Sequence, residues 1–492
     1  MAELVLCQPR VGDWDTLRSS PALPLSLLHA ANLASREFET RLVDLRVDPQ
    51  WRVSLKNAIG PETLAVGFTA YTGPMILSSL EMAEEARKLT DAPLVWGGIH
   101  PTLESPTTIQ SKLVDIVVRG EGEETLIELL RALKQKKSLE NIQGIWHKER
   151  GEIRRNPDRD LLDIESLPDI PYHLVDVNRY MPLYRGRKSF SLQSSRGCPH
   201  SCAYCFNPRF NGRRLRSKSP RRTLDLVRRI VDEFGPEDIY FVDDNFLLDF
   251  ERDMAVVEGM KDVGVAWEIQ GMDILRLKRL DEAQLKLLAE SGLQRFTVGI
   301  ESASPRVRKL MKKAGTVEDI EFVIRKLAKY DIFIYAGVIA GVPTETKEET
   351  RQTIEFILKL LKINPNMHNS PLYNYTPYPG TEMFDLAVEN GFVPPKSLDE
   401  WGRIGGFEKF SWGNRPDSKF YEALYFVSNF IDYKTRGYDV PSIVKFLADL
   451  YRPVARWRVK HLNFDFLIEK AIADRAQRYI ERYIAREATG QR

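Results

Sequence analysis

Three of the chain's four cysteines lie in one stretch, Ser194-Ser195-Arg196-Gly197-Cys198-Pro199-His200-Ser201-Cys202-Ala203-Tyr204-Cys205. Thiolates this close together, in a loop interrupted by glycine and proline, can converge on a soft metal centre such as an iron–sulfur cluster, zinc or copper(I). A closed site takes four protein ligands, and the remaining cysteine, Cys7, is far away in the sequence. Three thiolates therefore predict an open metal position where a substrate can bind. The alternatives are zinc with His200 as fourth ligand, or a thiol cluster without metal.

The composition is that of an ordinary globular protein. With 492 residues, 43% hydrophobic and 28% charged, the chain is long enough for about three domains. Its 71 basic and 69 acidic residues give no overall field that would attract nucleic acid or an anionic membrane. Few cysteines, no apolar run long enough to span a bilayer and no signal-peptide pattern at Met1 predict a cytoplasmic protein.

Residues 1–145 show short β-rich runs that alternate with amphipathic helical segments. The runs are Leu4 to Cys7, Arg41 to Leu45, Thr63 to Thr69, Leu94 to Trp96 and Asp115 to Val118. This alternation predicts a doubly wound, Rossmann-like α/β domain with a parallel sheet, whose ligand would bind beyond the carboxyl ends of the strands. The loops at those ends carry Gln8-Pro9, Thr69-Ala70-Tyr71, Gly97-Gly98-Ile99-His100-Pro101 and Arg119-Gly120-Glu121-Gly122. No Gly-x-Gly-x-x-Gly turn follows the first run, which argues against NAD or FAD.

Residues 146–187 are predicted to connect two larger units. A hairpin pattern surrounds Gly151, and prolines at Pro168, Pro171 and Pro182 then interrupt regular structure. We expect a connector here, not part of a sheet.

Residues 188–385 repeat the alternation of strands and helices in six units. The runs are Ser189 to Ser194, Ile239 to Val242, Ala266 to Gln270, Arg295 to Ile300, Ile332 to Ile339 and Ser370 to Tyr375. They predict an incomplete (β/α)6 barrel, with its chemistry at the carboxyl ends of the strands. The cysteines follow the first run, and polar groups follow the next four: Asp243-Asp244-Asn245, Gln270-Gly271-Met272-Asp273, Glu301-Ser302 and Gly337 to Glu345.

Taken together, these segments resemble the B12-binding radical SAM enzymes. The similar segments of the first unit are Pro24-Leu25-Ser26-Leu27-Leu28, Gly97-Gly98-Ile99-His100-Pro101-Thr102 and Arg119-Gly120-Glu121-Gly122-Glu123-Glu124. The resemblance implies a cobalamin-binding domain whose contacts are Thr69, Ala70, Tyr71, Gly97, Gly98, His100, Pro101, Gly120 and Glu121. The Asp-x-His-x-x-Gly motif that supplies a cobalt ligand elsewhere is absent, so His100 is expected to be a contact and not a ligand. The alternative is a Rossmann-like domain that binds nothing.

The resemblance also assigns roles in the barrel. It implies that Cys198, Cys202 and Cys205 ligate a [4Fe-4S] cluster whose open iron binds S-adenosylmethionine (SAM), and that Tyr204 is the aromatic before the last cysteine. Asp243 and Asp244 would meet the methionyl ammonium, and Glu301 the ribose. Gly337, Ile339, Gly341 and Glu345 match the adenine-binding segment, while Gln270 is a candidate for the SAM carboxylate, where relatives often carry an arginine. The alternative for each acid is a solvated carboxylate at a strand end.

A basic run follows the cysteines: Arg209, Arg213, Arg214, Arg216, Lys218, Arg221 and Arg222. It could hold an anionic substrate, the SAM carboxylate or the cobalamin phosphate, because arginine pairs with planar anions. It could equally be a solvated loop. One such loop does not predict nucleic-acid binding.

Residues 386–492 are predicted to form a helical, aromatic-rich domain. The aromatics are Trp401, Phe407, Trp412, Tyr421, Tyr425, Phe426, Phe430 and Tyr433. They could cap the barrel mouth or form a small helical core. The last helices mix Phe466, Leu467, Ile472, Ile480 and Ile484 with Arg475, Arg478, Arg482 and Arg486. These helices could lie on a membrane surface, but we favour packing against the barrel.

The resemblance implies a radical enzyme. A 5′-deoxyadenosyl radical from SAM would abstract hydrogen from an unactivated carbon, and methylcobalamin would then deliver a methyl group. One alternative is a relative that cyclises, oxidises or rearranges its substrate, as the anaerobic porphyrin-ring cyclases do. Another is an electron-relay protein that holds a cluster without turnover. The expected partners are an external reductant such as flavodoxin or ferredoxin, and a small-molecule, lipid or tetrapyrrole substrate that the sequence does not identify.

Overall fold

The computed structural model describes residues 1–12, 15, 20–405, 412, 415–432, 442–471 and 475. Two seven-stranded sheets, each flanked by helices, organise the described part of the chain. The predicted Phe407 and Tyr433, and the residues Ile472, Arg478, Ile480, Arg482, Ile484 and Arg486 of the last helices, lie outside the described residues.

The first sheet has a parallel core of five strands, in agreement with the predicted fold class. These strands are β1 (Leu4–Gln8), β2 (Thr40–Asp44), β3 (Ala65–Thr69), β4 (Leu94–Gly97) and β5 (Ile116–Val118). Their order is β2-β1-β3-β4-β5, so the chain reverses direction across the sheet between β1 and β3, where ligands bind in such folds. The flanking helices are α1 (Leu25–Ala34), α2 (Trp51–Ala58), α3 (Met75–Arg87), α4 (Ile99–Leu103), α5 (Ser105–Gln110) and α6 (Glu123–Lys134). Strands β1 and β3 are buried along their whole length, as expected for a sheet covered on both faces.

The hairpin that the sequence assigned to a connector belongs to this sheet. Its strands are β6 (Ile145–Glu149) and β7 (Glu152–Arg155), and β6 pairs antiparallel with β5. Ile145 and His147 are buried on the paired strand. Without β6, the backbone groups along one side of β5 would form an open edge, so the hairpin satisfies them.

The second sheet contains the six parallel strands predicted for the incomplete barrel. A short strand β8 (Leu183–Tyr184) pairs antiparallel with the first of them. The six are β9 (Arg187–Leu192), β12 (Asp238–Phe241), β13 (Ala266–Met272), β14 (Leu293–Glu301), β15 (Phe333–Ala340) and β16 (Met367–Asn374). The order β16-β15-β14-β13-β12-β9-β8 leaves β16 and β8 at opposite edges. A separate two-stranded ribbon, β10 (Ser195–Arg196) with β11 (Arg216–Ser217), flanks the cysteines.

Helices follow these strands with clear start signals. They are α7 (Asn207–Phe210), α8 (Pro220–Phe234), α9 (Phe250–Val263), α10 (Ile274–Arg279), α11 (Glu282–Glu290), α12 (Pro305–Leu310), α13 (Val317–Leu327) and α14 (Lys347–Ile363). Capping boxes begin α13 and α14, and in α14 the partners are Thr346 and Glu349. Helix α8 begins at a Ser219 cap and ends at Gly235, whose φ of 59° suits glycine.

The described part of the tail is helical, as predicted. It comprises α15 (Glu382–Glu389), α16 (Leu398–Gly402), α17 (Ser418–Ser428) and α18 (Ser442–His461). Helix α16 packs against α3 of the first domain, and α17 packs on β16. Helix α18 buries Ala455 and Val459 but leaves Phe446, Leu450 and Trp457 more than half exposed. Among the described residues, no helix is both long and apolar enough to cross a membrane.

Candidate functional site

The carboxyl ends of both sheets line one cavity. The first sheet contributes Gln8, Thr69, Tyr71, Gly97, Gly98, Gly120 and Glu121, and the second contributes Ser191, Gln193, Arg196, Val242, Asp244 and Gln270. The cavity has about 1790 Å³ of empty space, including the part that opens to solvent. Each of the two folds is expected to bind its ligand at the carboxyl ends of its strands, and these two positions therefore belong to one site.

Two aspartates at the end of β12 hold the cysteine loop. Asp243 is fully buried and accepts hydrogen bonds from the Ser194 backbone N–H (2.6 Å) and from the hydroxyls of Ser194 (2.6 Å) and Ser195 (2.8 Å). Asp244 accepts one from the Gly197 N–H at 2.8 Å. Gly197 has a φ of 90°, and an added Cβ would stand 2.0 Å from the Arg214 carbonyl oxygen, so only glycine fits here. The predicted contact of both aspartates with a ligand ammonium stays a prediction.

The three clustered thiols are half-buried and close to polar groups. Asn245 Nδ2 lies 3.8 Å from Cys198 Sγ, and the Asn207 N–H donates to Cys205 Sγ at 3.4 Å. Burial raises the pKa of Cys205 to about 12, and a bound metal ion would favour its thiolate form. Among the residues that the structure describes, no three His, Cys, Asp or Glu side chains converge on a single ion. A [4Fe-4S] cluster does not need such convergence, because each cysteine binds a different iron.

The histidine of the cysteine loop has another neighbour. His200 Nε2 lies 3.2 Å from Asp273 Oδ2, beyond the end of β13. The Asp273 carboxyl is partly buried, which opposes its ionisation, yet its contacts with His200 and with the Arg276 N–H lower its pKa. His200 therefore contacts a carboxylate, and its alternative role as a zinc ligand stays untested.

Tyr204 and Glu301 meet beside the cysteine loop. The Tyr204 hydroxyl donates to Glu301 Oε1 at 2.9 Å, and Lys313 Nζ lies 3.4 Å from the same oxygen. Burial and the Glu301 carboxylate raise the pKa of Tyr204 well above its usual value. Glu301 has a φ of 63°, which is uncommon for a residue with a side chain and typical of functional sites. Its tip lies over Gly299, where an added Cβ would be 2.1 Å from Oε1.

The predicted adenine segment lies at the end of β15. Gly337 and Ile339 are half-buried on the strand, and Gly341 follows it with a φ of 78°. Glu345 folds back so that its carboxylate accepts from the N–H groups of Gly341 (2.6 Å) and Val342 (3.2 Å). Burial raises the pKa of Glu345 to about 7. None of these residues lines the shared cavity, and β15 pairs with β14 on the side away from β13.

In the first domain, the segment after β4 has glycines that line the cavity and a histidine that is buried in the core. Gly98 has a φ of 97°, and an added Cβ would meet Thr69 Oγ1 at 2.8 Å, so glycine is needed for this turn against β3. His100 is fully buried behind it, with Nδ1 2.9 Å from Thr72 Oγ1 and its ring 5.4 Å from that of Trp401. Burial lowers the pKa of His100 to about 3. His100, Pro101 and Ala70 are buried residues outside the cavity lining.

Glu121 lies at the boundary between the two domains. Its Oε1 accepts from Arg196 at 2.7 Å, and its Oε2 accepts from Arg216 at 2.6 Å and from the Leu162 N–H at 2.9 Å. Arg196 also donates to Glu123 at 2.7 Å. Burial opposes ionisation of Glu121, but the two arginines outweigh it and hold its pKa below the ordinary value. Sequence reasoning did not find this contact.

The basic run divides between solvent and protein partners. Arg209 donates to the Gly380 carbonyl at 2.7 Å and Arg213 to the Pro199 carbonyl at 3.3 Å, and both residues are otherwise exposed. Lys218 is buried, which lowers its pKa to about 8. The Arg216 side chain donates to Glu121, and Lys218 Nζ donates to the Gln193 carbonyl at 3.3 Å, and both acceptors belong to residues that line the cavity.

Two family models match the two halves of this site. The B12 binding domain matches residues 20–130, and the Radical SAM superfamily matches residues 192–357. An uncharacterized methyltransferase of Pyrococcus horikoshii is 30% identical over 376 residues, which cover 75% of this chain and 79% of the relative. The chain belongs to the B12-binding radical SAM family. The predicted family is thereby confirmed.

Other members of the B12-binding radical SAM family carry different activities in their names. The anaerobic magnesium-protoporphyrin IX monomethyl ester cyclase of Cereibacter sphaeroides is 28% identical over 67% of this chain, which spans 57% of the cyclase. Among solved structures, the radical S-adenosylmethionine methyltransferase TsrM of Kitasatospora setae, with tryptophan and a SAM analogue bound, superposes with a TM-score of 0.68. That match is 18% identical and covers 97% of this chain and 99% of TsrM. At 18% identity the similarity to TsrM shows a shared fold only.

The residues present fit the cofactors of the B12-binding radical SAM family. Three half-buried thiols with no fourth cysteine nearby suit a cluster that keeps one iron open. The cavity side of the first domain is lined by Gly97, Gly98 and Gly120, which lets the backbone approach a large planar ligand. Tyr71 and Phe206 add apolar surface to the same lining.

Several cavity residues were missed by sequence reasoning. These are His29, Arg46, Met75, Phe206, Phe210 and Asn211. His29 and Met75 belong to helices whose amphipathic pattern explains them as core residues. Phe206 directly follows the last cysteine, and its position was the one signal that could have placed it in the site.

Proposed function

We propose that this chain is a cobalamin-dependent radical SAM methyltransferase that methylates an unactivated carbon of an organic substrate. One observation carries the proposal: Arg196 and Phe206, which flank the three cysteines, line the same cavity as the carboxyl edge of the B12-binding domain, although the cysteines themselves are not part of the lining. A methyl carrier and a radical source must both reach one carbon atom. A single cavity between the two domains supports that requirement.

The chain's own residues would bind, orient and enclose the reactants. Asp243 and Asp244 hold the loop that carries the cysteines, while Glu301 and Tyr204, which are hydrogen-bonded to each other, would orient a ribose beside it. Helix α16 packs against α3 of the first domain, and Met75 of α3 lines the cavity. When bound, the cluster would supply the electron that cleaves SAM to a deoxyadenosyl radical, and cobalamin would carry the methyl group. The organic chemistry belongs to the cofactors, and the protein supplies geometry.

A second candidate is a cyclase-type reaction without methyl transfer. The observation in its favour is the 28% identity to the magnesium-protoporphyrin cyclase, which extends over 67% of this chain. The greater coverage of the methyltransferase relative, 79% of its length, favours methyl transfer. A third candidate, an electron-relay protein, predicts that SAM is not cleaved.

The partners follow from the same chemistry. The reaction needs a low-potential one-electron donor, and a flavodoxin or ferredoxin is of the right class. The substrate is a small organic molecule, with lipids and tetrapyrroles included because the cavity lining is largely apolar around Leu25, Leu27 and Met75.

The test uses anaerobically reconstituted protein with cobalamin, a strong reductant and SAM labelled in its methyl group. Release of 5′-deoxyadenosine supports a radical enzyme, and label in an organic product formed from an added metabolite or lipid extract supports methyl transfer. Deoxyadenosine and a changed substrate without label would support the cyclase candidate. A protein that binds iron but releases no deoxyadenosine would contradict both enzymatic candidates.

The control for this assay is a variant in which Cys198, Cys202 and Cys205 are all replaced by alanine. It should take up no iron–sulfur cluster and release no deoxyadenosine. Replacing Cys7, which is buried in β1, should leave both properties unchanged.

A further inference from the structure

The ribbon that carries the first cysteine contains an unfavourable pair of charges. Strands β10 and β11 place Arg196 directly opposite Arg216. Like charges facing each other across an antiparallel pair destabilise it. Both side chains are largely buried, with 12% and 15% of their surface exposed, so solvent screens the repulsion poorly.

A carboxylate from the other domain lies between these two arginines. Glu121 Oε1 accepts a hydrogen bond from Arg196 at 2.7 Å, and Glu121 Oε2 accepts one from Arg216 at 2.6 Å. Glu123 Oε1 accepts a hydrogen bond from Arg196 Nη2 at 2.7 Å. Glu121, in the loop before α6, and Glu123, the first residue of α6, thus neutralise two bases from the ribbon, and the four groups form a buried, charge-balanced cluster.

This cluster joins three segments that are distant in the sequence. Glu121 follows β5 of the B12-binding domain, Arg196 is two residues before Cys198, and the Leu162 N–H completes the hydrogen bonds of the carboxylate. The ribbon is further fixed by the Lys218 N–H, which donates to the Ser194 carbonyl at 2.9 Å. The contact between α4 and α7 lies at the same boundary.

The arrangement leaves Glu121 little capacity for another partner. Its side chain is 5% exposed and its two oxygens already accept three hydrogen bonds. Glu121, which the resemblance assigns as a cobalamin contact, therefore makes its hydrogen bonds within the protein.

We propose that Glu121 and Glu123 are positioning residues that hold the cysteine loop at a fixed place relative to the B12-binding domain. This inference rests on the proposed function in so far as the loop carries a cluster and the domain a corrinoid. Glu121 neutralises the Arg196 and Arg216 pair, and without it the ribbon separates. The distance between the two cofactor sites is then no longer fixed.

The test is backbone hydrogen exchange of the full chain without cofactors, followed by mass spectrometry. In Glu121→Gln the two arginines face each other across a neutral amide. Exchange of the Gly197 and Lys218 N–H groups should become at least about tenfold faster, the effect of losing one charged hydrogen bond. The double variant Glu121→Gln with Arg216→Gln removes the repulsion and should exchange more slowly than the single variant.

The matched control is Glu124→Gln on the same helix. Glu124 is 46% exposed and pairs with Arg159, away from the ribbon. It should leave exchange in the cysteine loop unchanged. If Glu121→Gln fails to fold, Arg196→Lys keeps the charge, loses the planar fork and should show the same faster exchange.

Unchanged exchange in the ribbon of a folded variant would overturn the proposal, and so would faster exchange spread evenly over the chain. In protein loaded with cluster and cobalamin, pulsed electron paramagnetic resonance should show a broader distance distribution between the two centres in Glu121→Gln. Wild-type protein that takes up neither cofactor would contradict the proposed function, while the exchange experiment would still decide the positioning role.

Discussion

The hydroxyl of Tyr204 donates a hydrogen bond to Glu301 Oε1 at 2.9 Å, which joins the cysteine loop to the end of β14. Tyr204 lies between the second and third clustered cysteines, so the cluster site and the predicted ribose site share one contact. Glu301 makes it from a backbone conformation that costs energy, and Gly299 leaves room for its tip.

Tyr204→Phe should weaken SAM binding without loss of the cluster. The variant removes the donor to Glu301 and leaves its carboxylate with Lys313, which lies further away. We expect an unchanged iron content and a KM for SAM, measured by deoxyadenosine release, about five- to tenfold higher. Tyr330→Phe, which removes a surface hydroxyl bonded to Glu282, is the control. An unaltered KM in the Tyr204 variant would show that the contact does not support SAM binding.

Each of the clustered cysteines should be needed for iron. Replacing Cys198, Cys202 or Cys205 singly by alanine leaves two thiolates, too few for a stable cluster with an open position. Iron and sulfide analysis after anaerobic reconstitution should fall to background in all three variants. Cys7→Ala should keep wild-type values. A single variant that retained its full iron and sulfide content would contradict the assignment of that cysteine.

Gly97→Val should block the corrinoid site while the fold is kept. Gly97 lines the cavity at the end of β4, and an added Cβ would make only ordinary contact with Val118 at 3.8 Å. Valine suits a strand, so the loss should appear in ligand binding and not in folding. We expect cobalamin affinity, followed by absorbance, to fall by more than about tenfold.

Lys56→Val, on the exposed face of α2, adds the same side chain elsewhere on this domain and should bind cobalamin normally. Retained cobalamin binding in the Gly97 variant would mean that the corrinoid does not use this edge of the sheet.

Glu349 should make stability depend on pH in the acid range. Hydrogen bonds from Arg306 are the main cause that lowers its pKa from 4.5 to about 2. Because the folded pKa lies below the unfolded value, the ionised carboxylate stabilises the protein above about pH 4.5. That contribution is lost as the pH falls towards 2.

Glu349→Gln should therefore lower the free energy of unfolding at pH 7 by about 1–2 kcal/mol, through loss of the charged hydrogen bonds with Arg306, while glutamine can still form the capping box. Its stability should differ less from wild type at pH 3 than at pH 7 in denaturant titrations. Glu348→Gln, whose side chain is 62% exposed, should behave as wild type at both values. If the free energy of unfolding of Glu349→Gln were below that of wild type by the same amount at both pH values, the ionised Glu349 carboxylate would not be the source of the stabilisation.

The parallel strands of both sheets could be predicted because their sequences contain the signal themselves. Fully buried strands such as β1 and β3 read as continuous apolar runs, and the helices between them have one apolar face. The cysteine loop could be placed for a similar reason, since its spacing indicates a soft metal centre without any knowledge of distant residues.

Contacts between distant segments could not be predicted in this way. Glu121 and Arg196 are 75 residues apart, and neither has a local pattern that marks the other as its partner. The roles of Asp243 and Asp244 in holding Ser194 and Gly197 depend on the approach of two neighbouring strands. The hairpin was recognised as a hairpin, but its pairing with β5 depends on an edge that only the assembled sheet presents.

The direction of the His100 side chain, towards the core, could not be predicted from the sequence either. The resemblance to the B12-binding radical SAM enzymes implied that His100 contacts the corrinoid. Helix α4 instead carries the ring towards Thr72 and Trp401. Side-chain direction in a short helix depends on its packing, which the motif does not contain.

The antiparallel hairpin β6–β7 has a practical consequence for dissection of this protein. A fragment ending at residue 145 would lose the partner of β5 and present a bare strand to other molecules, which invites self-association. Asn156 and Arg159 continue to bond the first domain through Ile142 and Glu124, and Leu162 reaches Glu121. We therefore expect the smallest autonomous corrinoid module to extend beyond residue 162, and shorter pieces to precipitate on expression.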